Sequence, residues 1–327
     1  MSKLQRIFQR YTGVLRSLKA TYFLHNLLNA KRLKHNRALY KRYGLNKSIF
    51  SPIGAADFKK APQPDEIPWL DRPDRKEKLT SNATFQGLTP EMQQKIRQFE
   101  HEGYLVLENF FSQADTDHLN QTVEELLQNG KAGYNFTGRK IFNLWEISPF
   151  ARDQFFKNPE LNQLLSFLLG RKVVPFQSLN FTLGSEQRAH SDAIHMTTQP
   201  QGYLIAAWIA LEDVHEGCGP LIYYPGSHRL PFVSTQDYNS GNGRFTLGHE
   251  SNKHYEDKIE EIIQQKGLEK KVFLPKRGDV LVWHSNLIHG GSPITTPGAT
   301  RKSMVCHYYA EGVICYHEMS QRPALLS

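Results

Sequence analysis

The sequence predicts a mainly β protein with flanking helices, built on a double-stranded β-helix core of the jelly-roll or cupin-like kind. From Lys172 onward, short runs rich in Val, Ile, Phe, Tyr and Leu alternate with turn residues, the pattern of antiparallel strands. The connections between these runs are long and irregular, as in a barrel whose interior holds a small ligand. Before Lys172 the punctuation is that of helix starts and stops, which supplies an outer layer for one sheet face.

Taken in order, residues 1–50 read as a basic amphipathic helical segment. Leu4, Ile7, Phe8, Tyr11, Leu15, Leu18 and Tyr22 recur at three- and four-residue intervals, with Lys3, Arg6, Arg10 and Lys19 off the stripe. Met1 to Ser48 holds twelve Lys and Arg and no acid, so the rest of the chain has 28 basic against 32 acidic residues. The net charge of +8 therefore belongs to this segment and not to a site farther on. Such a segment suits peripheral contact of residues 1–48 with a membrane or a protein, docking on the chain's own catalytic domain, or an import signal. No nucleic-acid reading module accompanies the charge, and nucleic acid is not an expected partner. Cys218, Cys306 and Cys315 show no paired spacing, and Arg10, Arg16 and Lys19 interrupt any signal-peptide core. The expected location is cytoplasmic, peripheral to a membrane, with organellar import left open.

Residues 51–87, carrying Pro52, Pro62, Pro64, Pro68 and Pro73, read as an extended linker. Thr89-Pro90 opens a helix that Gly103 stops near Glu102. Ser112 with Asp115 opens a second, ended by Asn129-Gly130, and Asn158-Pro159 with Gly170 brackets a third. Strands are expected at 173–183, 204–211, 221–224, 272–274, 280–284 and 303–310. The stretch 233–271 breaks this pattern with Ser, Asn and Gly at 239–243 and a charged helix near 255–265; it reads as an insertion, either a substrate lid or a surface decoration. Residues 316–327 read as a C-terminal tail.

The chemistry gathers at two places. In Arg188-Ala-His-Ser-Asp-Ala-Ile-His195, His190 and Asp192 stand two positions apart, a spacing that on a β-strand aims both side chains at one side. Downstream, Arg277-Gly-Asp-Val-Leu-Val-Trp-His284 leads to His289 in a Gly-bounded corner, and Arg301 opens the run to Tyr309. His190, Asp192 and His289 would make the two-histidine, one-carboxylate set that holds non-haem Fe(II) and leaves positions open for a co-substrate and O2. The Arg301 fork would grip the far carboxylate of a 2-oxo dicarboxylic acid. Gln177, on a strand facing the same barrel, and Lys140, just before it, are read as reaching that co-substrate. His195 and His228, the latter in a Pro-Gly-Ser-His turn, are read as substrate contacts, each with a structural alternative; His284 reads as a satisfied core histidine.

Residues 91–127, the block Trp-Ile-Ala-Leu-Glu-Asp-Val-His-Glu-Gly-Cys-Gly-Pro-Leu-Ile-Tyr-Tyr-Pro-Gly-Ser-His at 208–228, His190-x-Asp192 and His289 with Arg301 together resemble the phytanoyl-CoA dioxygenase family of Fe(II)/2-oxoglutarate-dependent oxygenases. The resemblance covers roughly 88–312 and implies a dioxygenase domain over 88–315. It implies iron at His190, Asp192 and His289, 2-oxoglutarate held by Arg301, and Trp208 beside that co-substrate. Ala189 and Gly291 depart from it, the first where a bulkier side chain is common, the second where many members supply a hydroxyl. A carboxylate at 192 implies hydroxylation or a related oxidation rather than halogenation. The implied reaction is hydroxylation of an aliphatic C–H of a small molecule, with release of succinate and CO2. Two other classes stay open: a Zn²⁺- or Mn²⁺-dependent hydrolase or isomerase using the same ligands, and a catalytically silent jelly-roll binding protein recruited by its basic N-terminal helix.

Overall fold

The computed structural model describes residues 17–58, 66–135 and 138–326. The described residues open with helices α1 (Lys19–Leu28) and α2 (Asn36–Arg42), followed by α3 (Arg75–Ser81) and α4 (Pro90–Glu102). Strand β1 (Tyr104–Leu107), α5 (Gln113–Gln128), β2 (Lys140–Phe142) and α6 (Pro159–Leu169) lead into β3 (Val173–Phe181), β4 (Thr197–Gln199), β5 (Leu204–Ala210) and β6 (Leu221–Tyr223). After α7 (Ser251–Lys266) come β7 (Lys271–Phe273), β8 (Val280–His284), β9 (His289–Gly291), β10 (Ser303–Ala310), β11 (Ile314–His317) and β12 (Arg322–Pro323).

The strands form a jelly roll. A six-stranded antiparallel sheet, β1-β8-β5-β10-β3-β2, faces two three-stranded sheets, β12-β11-β4 and β7-β6-β9. Strand β5 shows how the layers are kept apart, because every one of its residues is buried. With a period of two, Ile205, Ala207 and Ile209 join the cluster under the helices, with Phe99, Leu119 and Leu165. Ala206, Trp208 and Ala210 point the other way, into the barrel, with Leu281, Trp283 and Val305. The helices that cover the outer face are bounded by their caps: Thr89 accepts from the Met92 N–H, Ser112 from Asp115 and Asn158 from Leu161. Gly103 ends α4 at φ +84°, and a Cβ there would lie 2.4 Å from the His228 ring, so both conformation and space require glycine.

Three expectations are corrected. The stretch 51–87 is not simply extended: it turns at Ala55–Asp57 and Trp69–Asp71 and is helical over α3 and Ala83–Gln86. No proline follows Pro73 before Pro90, and Leu70, Leu79 and Phe85 bury themselves in the outer core. Second, the basic segment 1–50 carries buried apolar contacts beyond the expected stripe, since Leu33, Tyr40 and Leu45 pack with Ile49 and Ile53 on Ile314 and Tyr316 of β11. Leu4, Ile7, Phe8, Tyr11 and Leu15 lie outside the described residues. Third, the tail starts inside a sheet: Tyr316 and His317 belong to β11, and Arg322–Pro323 pairs with them as β12. Among the described residues no helix is long and apolar enough to cross a membrane.

Candidate metal centre

His190 and His289 are joined by backbone. Each N–H donates to the other's carbonyl at 2.9 Å, a single antiparallel bridge that brings the imidazoles to a centroid separation of 4.5 Å. Asp192 is not on a continuing strand. Ser191 is extended (φ −111°, ψ 148°) and a 3-10 turn starts at Asp192, so one extended residue separates the pair and both side chains still converge. Ligand atoms of His190, Asp192 and His289 all lie within 4.8 Å of one another, and all three residues are buried.

The surroundings fix these groups for coordination. Nδ1 of His190 faces the Arg188 carbonyl and Nδ1 of His289 the Leu287 carbonyl, both at 2.9 Å. Donation to those carbonyls places the lone pair on Nε2 of each ring, the form that binds a metal. Trp283 Nε1 donates to Asp192 Oδ2 at 2.8 Å, and His307 Nε2 lies 3.5 Å from the same oxygen. Asp192 Oδ1, 3.7 Å from His289 Nε2, is thereby turned toward the histidines. Burial pushes the Asp192 carboxyl up, yet the imidazoles of His289, His307 and His190 hold it below the usual range; burial and His289 push His190 well down. A buried carboxylate with two imidazoles whose Nδ1 atoms are taken up by backbone carbonyls is a donor set suited to iron.

The sequence did not single out Trp283, His307 or Tyr255. His307 is six residues after Arg301 on an extended run, an even spacing that puts both on one face; that signal was present. Tyr255 carried none. Its hydroxyl accepts from the Ser191 N–H at 3.0 Å and pairs with Ser191 Oγ at 3.1 Å, between the two motif residues. Tyr255, Ile259 and Ile263 of α7 pack with Ile194, Tyr224 and Ile288. The 233–271 insertion thus contributes a buttress to the metal-bearing turn.

Arg301 is 2% exposed. One Nη donates to the Gly219 carbonyl at 2.9 Å, Nε has no partner, and the guanidinium carbon sits 5.8 Å from the Trp208 ring centroid. Burial lowers its pKa to about 10, and among the described residues no acid pairs with it. Gln177 is opposite His307 in register and shares its face. Lys140 Nζ lies 3.2 Å from Gln187 Oε1, and burial lowers its pKa against the pull of Asp192. The 3-10 turn brings the His195 ring to 5.8 Å from His190 and 5.4 Å from His317.

His228 stands apart from the three candidate ligands and has the packed surroundings of its structural alternative. It packs against His284 at 5.6 Å, and His284 Nε2 lies 3.2 Å from Asp71 Oδ2. His284 and Trp283 are neighbours on β8, so this cluster occupies the sheet face opposite the one carrying Trp283 to Asp192. Burial, with His284 and Arg229 nearby, holds the His228 pKa down to about 3. Below the unfolded value of about 6.5 the unfolded chain takes this proton and the folded one does not, so stability falls by about 1.4 kcal/mol per pH unit between about 6.5 and 3 from this residue alone. Urea midpoints across that window are expected to fall less steeply in His228→Phe.

The family model Phytanoyl-CoA dioxygenase (PhyH) matches residues 99–303. The chain belongs to the phytanoyl-CoA dioxygenase family. It is an Fe(II)- and 2-oxoglutarate-dependent dioxygenase. A Danio rerio phytanoyl-CoA dioxygenase domain-containing protein 1 is 25% identical over 270 residues, covering 65% of this chain and 88% of its own. Among solved structures, the α-ketoglutarate-dependent carbocyclase SnoK of nogalamycin biosynthesis superposes with TM-score 0.54 at 17% identity, covering 71% of this chain and 88% of the other. EctD from S. alaskensis, solved with 2-oxoglutarate and 5-hydroxyectoine, gives 0.52 at 22%, covering 68% and 76%. This phytanoyl-CoA dioxygenase family member has its own close packing at Gly291: a Cβ there would meet Ser185 Oγ at 2.5 Å and the Glu186 nitrogen at 3.0 Å. The segment 185–187 fills the space a hydroxyl-bearing side chain would need.

Proposed function

We propose that this dioxygenase hydroxylates an aliphatic C–H of a small molecule, with Fe(II) held by His190, Asp192 and His289 and the distal carboxylate of 2-oxoglutarate held by Arg301. The observation that carries this reading is Arg301 itself. A buried guanidinium against Trp208, in the same interior cluster as the Trp283 that bonds Asp192, with no acid partner among the described residues, is suited to receive an anion. A hydrolase or isomerase using Zn²⁺ or Mn²⁺ at the same ligands gives that charge no task, and neither does a silent binding protein.

The bound iron and 2-oxoglutarate supply the oxidising chemistry, consuming O2 and releasing CO2 and succinate. The chain's own residues position and shield. Trp283 and His307 keep Asp192 turned to the metal, Trp208 and Arg301 wall the co-substrate, and Gln177 and Lys140 flank it. His195, with its ring near those of His190 and His317, is assigned to substrate contact. Residues 1–48 serve a peripheral contact apart from the reaction. The test is a screen of small molecules for stimulation of succinate release by the iron-loaded protein. Compounds that stimulate release and gain one oxygen are expected; stoichiometric iron with no succinate from any compound would favour the silent protein.

A further inference from the structure

An amphipathic helix on a domain surface normally turns its apolar stripe inward. Helix α1 does the reverse. Its buried residue is Asn26, fully enclosed, whose Nδ2 donates to the Phe50 carbonyl at 3.0 Å. Its leucines face out: Leu28 is 79% exposed, Leu24 58%, Leu27 47% and Phe23 42%. With Ala20, also exposed, these fall at helical intervals of three and four, so they make one continuous strip. The loop beside the helix extends it. The Lys19 N–H donates to the Phe245 carbonyl at 3.0 Å, Leu18 bridges Thr246, and Phe245 is 70% exposed with Arg244 over its ring. Single exposed apolar residues are ordinary; a contiguous strip of this kind marks a docking surface.

The charge around the strip says what covers it. Between Ser17 and Ser48 there are eight Lys and Arg and no acid, and Lys31, Lys34, Arg37, Lys41 and Arg42 are all exposed. Residues 1–16 add four more bases, again with no acid, and further Leu, Ile and Phe. The strip itself carries no polar side chain, so it offers none of the hydrogen bonds that orient a protein partner. Leucine and phenylalanine set in a wholly basic segment are what an anionic lipid surface binds, through apolar insertion and attraction of the headgroups. We infer that the outward face of α1, with Phe245, docks this enzyme on an anionic membrane. This rests on the peripheral contact proposed above for residues 1–48 and commits it to a lipid bilayer.

The full-length, iron-loaded chain is sedimented with vesicles of phosphatidylcholine alone or mixed with phosphatidylglycerol. Binding to the mixed vesicles only, weakened by raised salt and reduced about tenfold or more in Leu24→Ser/Leu28→Ser, is the expected result. The unfolding midpoint should not drop in that variant, because both side chains are already exposed. No binding to mixed vesicles, or binding that the double variant leaves unchanged, overturns the inference. So does a dimer on gel filtration that the variant dissociates, since a second copy would then cover the strip. Succinate release with a soluble substrate is read in parallel and stays unchanged in the variant, so loss of docking and failure of the catalytic reading give different results.

Discussion

Asp192→Ala, mixed with Fe(II) and 2-oxoglutarate without oxygen, is expected to lose the weak visible charge-transfer band that the unaltered protein develops, and to release no succinate when oxygen is admitted. Removal of the carboxylate takes one of three ligands and also strands two donors, since Trp283 Nε1 and His307 Nε2 both address its outer oxygen. Loss of outer partners alone costs metal sites about 10–100-fold in affinity, so loss of the ligand is expected to exceed about 100-fold. Asp192→Asn separates ligation from packing. Its single carbonyl oxygen turns to the Trp283 and His307 donors, which leaves an NH2 facing the histidines, a group that cannot ligate. The Asn variant should therefore fold as well as the Ala variant or better, yet bind iron no better. Iron retained by either variant at near-normal affinity, measured by titration with absorbance readout, would remove Asp192 from the site.

The parts of this molecule legible in the sequence were those set by local chemistry. Thr89, Ser112 and Asn158 cap helices because their side chains meet N–H groups three residues on, and that spacing is visible without coordinates. Strands β3, β5, β8 and β10 show as runs of Val, Ile and Tyr because their residues are buried or nearly so. The His190–Asp192 spacing survived even though the assumed strand did not, because only Ser191 has to be extended. What the sequence hid is long-range. The bridge between His190 and His289 joins residues 99 positions apart, and nothing local in β9 announces it. His228 was visibly in a turn, but the side of β8 on which that turn lands is decided by packing against His284 and Gly103. The helices at 75–86 were obscured by the prolines upstream, while Leu79 and Phe85, which anchor them, are too sparse to show a period.

Arg301 is where function and stability are expected to part. The fold keeps the guanidinium 2% exposed, with one Nη donating to the Gly219 carbonyl and an Nε that meets no acceptor among the described residues. Its pKa is lowered to about 10, still far above neutrality, so the group stays charged and the fold bears the desolvation. Replacing a buried charge with an apolar side chain of similar length is often neutral or stabilising by about 1–4 kcal/mol. Arg301→Met is therefore expected to unfold at an equal or higher urea concentration than the unaltered chain when no 2-oxoglutarate is present. Added 2-oxoglutarate should reverse the order. It supplies the missing anion to Arg301 and raises the midpoint of the unaltered protein by mass action, whereas Met offers the carboxylate no donor. Truncating one member of a buried, hydrogen-bonded charge pair costs about 2–5 kcal/mol, which corresponds to a dissociation constant for 2-oxoglutarate raised by about 30- to 5,000-fold. Iron binding, which does not involve residue 301, should be unchanged. A Met variant that is less stable without 2-oxoglutarate and equally stabilised by it would mean that Arg301 holds the barrel together through Gly219 and Trp208 and leaves the co-substrate to another cation, with Lys140 next in line.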